Sequence, residues 1–140
     1  MKTLKIKTYK LNSPHDTNHF FLLSKGYNAG KPMEGPCPNC FIVSCDNQEH
    51  KGKIYWICYS LWKSGTYLPL LCGSVIPFLR INDVSAEIEK AVHNVKENPK
   101  AFDVAVTKLQ QLLQTEKFLD MQLKLIGQIK ISIARKLMCD

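Results

Sequence analysis

The sequence predicts an α+β protein: a small, irregular β-sheet with one packed helix, followed by a long helical, coiled-coil-like segment. Two observations carry this. Up to Val84, short apolar runs alternate with Gly, Pro, Asn and aromatic residues, the texture of strands joined by turns. Beyond it, apolar residues recur mainly at steps of three, four or seven, which is a helical period. The change falls in the run Gly73-Ser74-Val75-Ile76-Pro77-Phe78-Leu79-Arg80-Ile81-Asn82-Asp83. The division is therefore placed between an α+β region, 1–84, and a helical spacer or assembly region, 85–140.

The elements follow in order. Leu4, Ile6 and Thr8 alternate with Lys5, Lys7 and Tyr9, a strand with one lysine-lined side that reads as a guarded edge. Ser13-Pro14-His15-Asp16 is a turn, and His19 to Leu23 is a second, more buried strand. Ser24 to Pro32 carries two glycines, an asparagine and two lysines, a loop whose backbone can approach a ligand. Phe41 to Cys45 is a third strand, and Asp46 to Lys53 a polar loop. Ile54 to Trp62 is read as helix, because Tyr55, Cys58, Tyr59 and Trp62 share one helical face; Gly65 suits its C-terminal cap.

In the central run, Gly73 permits a left-handed turn and Pro77 forces Ile76 extended. Val75, Ile76, Phe78, Leu79 and Ile81 are expected to anchor it against a core. A helix opens at Ser85, with Asp83 or Ser85 as its cap, and Asn98-Pro99 stops it. A long helix follows from near Lys100, with a seam through Leu109, Leu119, Leu123, Ile126, Ile133 and Leu137 and an optional break at Thr115-Glu116-Lys117.

Composition narrows the function. The chain carries 19 Lys and Arg against 12 Asp and Glu, a net +7. The α+β region holds +5 of it, which favours an anionic partner such as nucleic acid. No secretory leader is legible at the start, and no run of apolar residues is long enough to span a membrane. Six cysteines without an export signal point to reduced thiols, so the expected location is cytoplasmic.

Cys37-Pro38-Asn39-Cys40 is the sharpest chemical cue. It can be a structural turn with buried thiols, half of a zinc site, or a redox dithiol. Zinc would need two more ligands from Cys45, His50, Cys58 and Cys72, none of which stands at a paired spacing. The four histidines lie apart, and no nucleophile, acid or phosphate-loop motif is present. A binding protein is expected rather than an enzyme, with no cofactor required and zinc as the open alternative.

Three motifs, Ser24 to Pro32, Cys37 to Phe41 and Gly73 to Phe78, resemble the pattern of a bacterial domain family of unknown function. More distantly, Gly73 to Phe78 and the helix after it resemble the target recognition domain of type I restriction–modification specificity subunits. That resemblance implies a DNA-binding module in which Lys25, Asn28, Lys31, Lys63 and Arg80 lie near phosphates or base edges. It also implies that the helices serve as spacer and assembly surface, for a homodimer or a partner protein. The competing reading is an interaction protein without DNA.

Overall fold

The computed structural model describes residues 4–12 and 17–139. The turn expected at Ser13 to Asp16 lies outside them. Four antiparallel strands, β1 (Lys5–Thr8), β2 (His19–Leu23), β3 (Pro32–Met33) and β4 (Cys40–Ser44), form one sheet in the order β1-β4-β2-β3. The register pairs Ile6 with Val43, Phe21 with Ile42, and Phe21 with Met33. β1 is an edge strand with Lys5 and Lys7 exposed, as the alternation predicts. The other edge, β3, is only two residues long and begins at Pro32, which lacks a donor for further pairing.

The core is concentrated on β2, where Phe20, Phe21 and Leu22 are buried together with Val43 of β4. Above it lies α1 (Gln48–Lys63). This helix starts six residues before the expected Ile54, so much of the expected polar loop is helix. Asn47 explains the early start: its side-chain oxygen accepts from the His50 amide at 2.8 Å, with Glu49 in the first turn. The far end closes as expected. Gly65 has φ +78°, and the amides of Gly65 and Thr66 bond back to the carbonyls of Trp62 and Leu61, a Schellman ending.

The buried stripe of α1 differs from the expected one. His50, Ile54, Ile57 and Cys58 face the core, while Tyr55, Trp56, Tyr59 and Trp62 are only half-buried. The face with the smaller side chains, Ile54, Ile57 and Cys58, packs against the sheet, and the bulky aromatic face stays at its margin.

A single 3-10 turn (Leu68–Leu70) leads to the central run. Of its expected anchors, only Leu79 is buried; Val75 and Ile76 are exposed. The cause is local. Gly73 takes φ +93°, and the amides and carbonyls of Cys72 and Phe78 exchange bonds at 2.9 Å, so the residues between them form a closed turn directed into solvent. α2 (Ile81–Glu97) begins four residues ahead of Ser85. Asp83 lies in its first turn, and neither Asp83 nor Ser85 is its cap.

The chain divides into two compact units, Met1–Glu97 and Asn98–Asp140. Within the first, α2 packs on α1 and β1 and buries Val84 and Ile88. The second unit is α3 (Pro99–Met138), a continuous helix of 40 residues with no break at Thr115 to Lys117. Asn98 caps it, accepting from the Ala101 amide at 3.2 Å, and Pro99 fills its first turn without losing a bond. No residue of α3 is buried. No helix among the described residues is long and apolar enough to cross a membrane.

Candidate functional site

The glycine loop is the hairpin connection between β2 and β3. Its turn is closed by the Gly30 amide on the Leu23 carbonyl at 2.7 Å and by the Leu23 amide on the Lys31 carbonyl at 3.0 Å. Gly30 is obligatory: its φ is +95°, and a Cβ there would stand 2.3 Å from the ring of Tyr67. The tight approach of loop backbone to Tyr67 brings the loop against the C-terminal end of α1.

Trp62 stands at that junction. The ammonium groups of Lys31, from the loop, and Lys63, from the helix end, lie 5.5 Å and 5.1 Å from its ring centroid. Each is within cation–π range. Among the described residues neither lysine has an acidic partner; the ion pairs lie elsewhere, at Lys51–Glu34, His50–Asp46 and His93–Glu97. Two like charges sharing one ring, with no carboxylate to neutralise them, leave a local positive potential.

Beside them opens a cleft of about 240 Å³ lined by Tyr27, Asn28, Ala29, Trp62, Lys63, Gly65, Tyr67, Leu68 and Leu71. Trp62 also ends a ladder of edge-to-face rings that runs along α1 from Phe20 through Tyr55, Trp56 and Tyr59, with successive centroids 5.3 to 5.7 Å apart. Tyr67 is 2 % exposed, and its hydroxyl has no hydrogen-bond partner among the described residues. Burial pushes that phenol far above its usual range, with Cys58 and Glu87 adding to it.

Of the five residues singled out by sequence, the structure gathers Asn28, Lys31 and Lys63 around Trp62 and its cleft. Lys25 and Arg80 belong to a neighbouring seam. The Lys25 backbone bridges to Phe78, the Gly26 amide donates to the Pro77 carbonyl at 2.7 Å, and the Leu79 amide donates to Ser24 at 2.9 Å. Both side chains are exposed there. Sequence reasoning missed Tyr27, Trp62 and the ladder as surface features. The legible signal was Tyr55, Tyr59 and Trp62 at three- and four-residue steps with Cys58 between them, a face expected to pack on the sheet.

The cysteine pair is a turn. The Cys40 thiol donates to the Cys37 carbonyl at 3.1 Å, and the Cys37 thiol to the Asn39 carbonyl at 3.4 Å. Burial raises the Cys40 thiol above its ordinary pKa, with Cys37 alongside. Burial likewise pushes Cys45 up to about 11 and Cys58 further still. Among the described residues no group of three or more His, Cys, Asp or Glu gathers as a metal site, so the further ligands that zinc would need do not converge on Cys37 and Cys40.

The fold and the cleft thus define a small α+β unit with a basic, aromatic surface site, followed by a long helix. The chain belongs to a family of unknown function (DUF6943), whose model matches residues 6–136 and so spans both units. No curated protein and no solved structure matches it.

Proposed function

We propose that the chain is a non-catalytic nucleic-acid-binding module, with DNA the ligand implied by its motif resemblance to specificity-subunit recognition domains. One observation carries the reading: Lys31 and Lys63 converge on Trp62 without an acidic partner, next to the Asn28 amide. Ammonium groups held by a ring rather than by carboxylates remain available to phosphate, and the net charge of +7 adds attraction at longer range. Lys25 and Arg80, on the adjoining seam, extend the contact if the nucleic acid runs past the loop.

The test is a titration of duplex DNA at low and moderate salt, with parent and Lys31→Ala/Lys63→Ala proteins. The double variant should bind more weakly and lower the salt slope by about two, close to one per phosphate contact. Equal affinity for both, or no binding at low salt, rejects the reading.

A second reading rests on α3. A helix with no buried residue that presents Leu119, Leu123, Ile126, Ile133 and Leu137 to solvent supports assembly through that helix, with a second copy or a partner protein. The two readings are compatible, since they use different units.

A further inference from the structure

We infer that the cleft beside Trp62 holds one unpaired nucleobase, with the phosphate attached to it reaching Lys31 and Lys63. This rests on the nucleic-acid reading above and names the form of nucleic acid that the site takes.

Size is the first argument. A cleft of about 240 Å³ falls below the range of sites that enclose drug-sized molecules, and it has room for a single ring system. Its chemistry is the second. Tyr27 stands at the cleft with 79 % of its surface exposed, and Leu68 and Leu71 supply apolar wall. A bare aromatic face and apolar walls match the face of a base, and every base has one. In a duplex those faces are stacked away, and only base edges and phosphates are offered to a protein. A site meant for a duplex would need the cations and the amide but would gain little from the aromatic wall.

Asn28 completes the complement. Its amide carries both donors and an acceptor, so it can pair with the hydrogen-bonding edge of a base seated in the cleft. Lys63 lines the cleft, and Lys31 shares the Trp62 ring with it, which leaves both ammonium groups near the phosphate of a base seated there. Aromatic platform, adaptable polar group and backbone cations are the three parts of a single-strand site. Beyond Trp62, the half-buried rings of Tyr59 and Trp56 continue the edge-to-face ladder. A free nucleotide offers the same base and phosphate, so the experiment must separate the two sources.

The chain has two tryptophans, Trp56 and Trp62, and Trp62 lines the cleft. Tryptophan emission of the full chain is titrated with an oligothymidylate, with a mixed-sequence duplex of equal length, and with thymidine monophosphate, all at one salt concentration. The oligothymidylate should quench the emission and bind at least about tenfold more tightly than the duplex. Tyr27→Ala should weaken the single strand by about tenfold, the scale of one lost base stack, and Tyr27→Phe should restore it. Tyr27 is exposed, so neither variant disturbs the core; far-UV circular dichroism checks this. The Trp62→Phe variant should lose most of the quenching.

A duplex that binds as tightly as the single strand, with both insensitive to Tyr27→Ala, overturns the inference and leaves the nucleic-acid reading in place. Binding of neither strand form nor mononucleotide at low salt overturns both. Thymidine monophosphate binding as tightly as the oligomer, and equally sensitive to Tyr27→Ala, upholds the base site and assigns it to a free nucleotide.

Discussion

The two units of this chain handle apolar surface in opposite ways. In Met1–Glu97, Phe20, Phe21, Leu22, Val43, Val84 and Ile88 are sealed between the sheet and its two helices. In Asn98–Asp140 the same kinds of residue lie along a single helix in contact with water, Leu123 at 65 % and Ile133 at 59 % exposure. Hydrophobic burial stabilises the first unit from within. The second buries no residue of its helix, which therefore leans on backbone bonds, cap and helix propensity. A stretch written in apolar residues is therefore a core in one unit and an open surface in the other.

The largest expected effect tests that contrast directly. Phe20→Ala removes a fully buried ring and should cost about 3–5 kcal/mol. Both tryptophans lie in α1, so the denaturation midpoint read by their fluorescence reports the first unit. Leu123→Ala should stay within about 0.5 kcal/mol, because the side chain has little burial to lose. Should Leu123→Ala instead cost several kcal/mol, with a midpoint that shifts with protein concentration, the helix is covered by another chain. The second reading of its function would then gain at the expense of the contrast.

The two asparagine caps sharpen the comparison at a smaller scale. Asn47 and Asn98 each accept a backbone amide at the start of a helix. Asn47→Ala should lower the fluorescence-detected stability by about 1 kcal/mol. Asn98→Ala should leave that midpoint unmoved and lower only the helical signal at 222 nm. Equal shifts from both would mean that the units unfold together.

The remaining effect is one of pH, and it belongs to the first unit. Burial, with Asp46 beside it, raises the Cys45 thiol from 9.0 to about 11. In the unfolded chain the thiol ionises first, so rising pH favours unfolding. Its contribution is complete below pH 9 and is lost as pH climbs toward 11. Stability followed by denaturant at pH 8, 9, 10 and 11 should fall across that window, and Cys45→Ala should flatten part of the fall. An unchanged slope in the variant would assign the loss to other groups.

Much of this was legible from local pattern. The alternation at Leu4 to Tyr9, the apolar run from His19 to Leu23 and the one at Phe41 to Cys45 declare strands because side chains alternate faces and need one covered. Asn98-Pro99 announces the stop between two helices, because proline cannot continue the first. Gly65 announces a helix end by its positive φ. Lys25, Asn28, Lys31, Lys63 and Arg80 entered as candidates through the resemblance to recognition domains, since a glycine-rich loop with lysines is equally a plain surface turn.

What tertiary structure alone decided was which apolar face won, and which distant residues met. Nothing in the spacing of α1 says that Ile54, Ile57 and Cys58 turn inward while Tyr55, Tyr59 and Trp62 stay at the surface; the fit to Phe20 and its neighbours on the sheet decides that. Nor does sequence place Val75 and Ile76 in water, which follows from the hydrogen-bonded closure of Cys72 on Phe78. Lys31 and Lys63 lie 32 positions apart and share a ring only because Gly30 lets the loop close against Tyr67. Local chemistry is written in neighbours along the chain. A site built from two segments exists only once their shared packing has been settled.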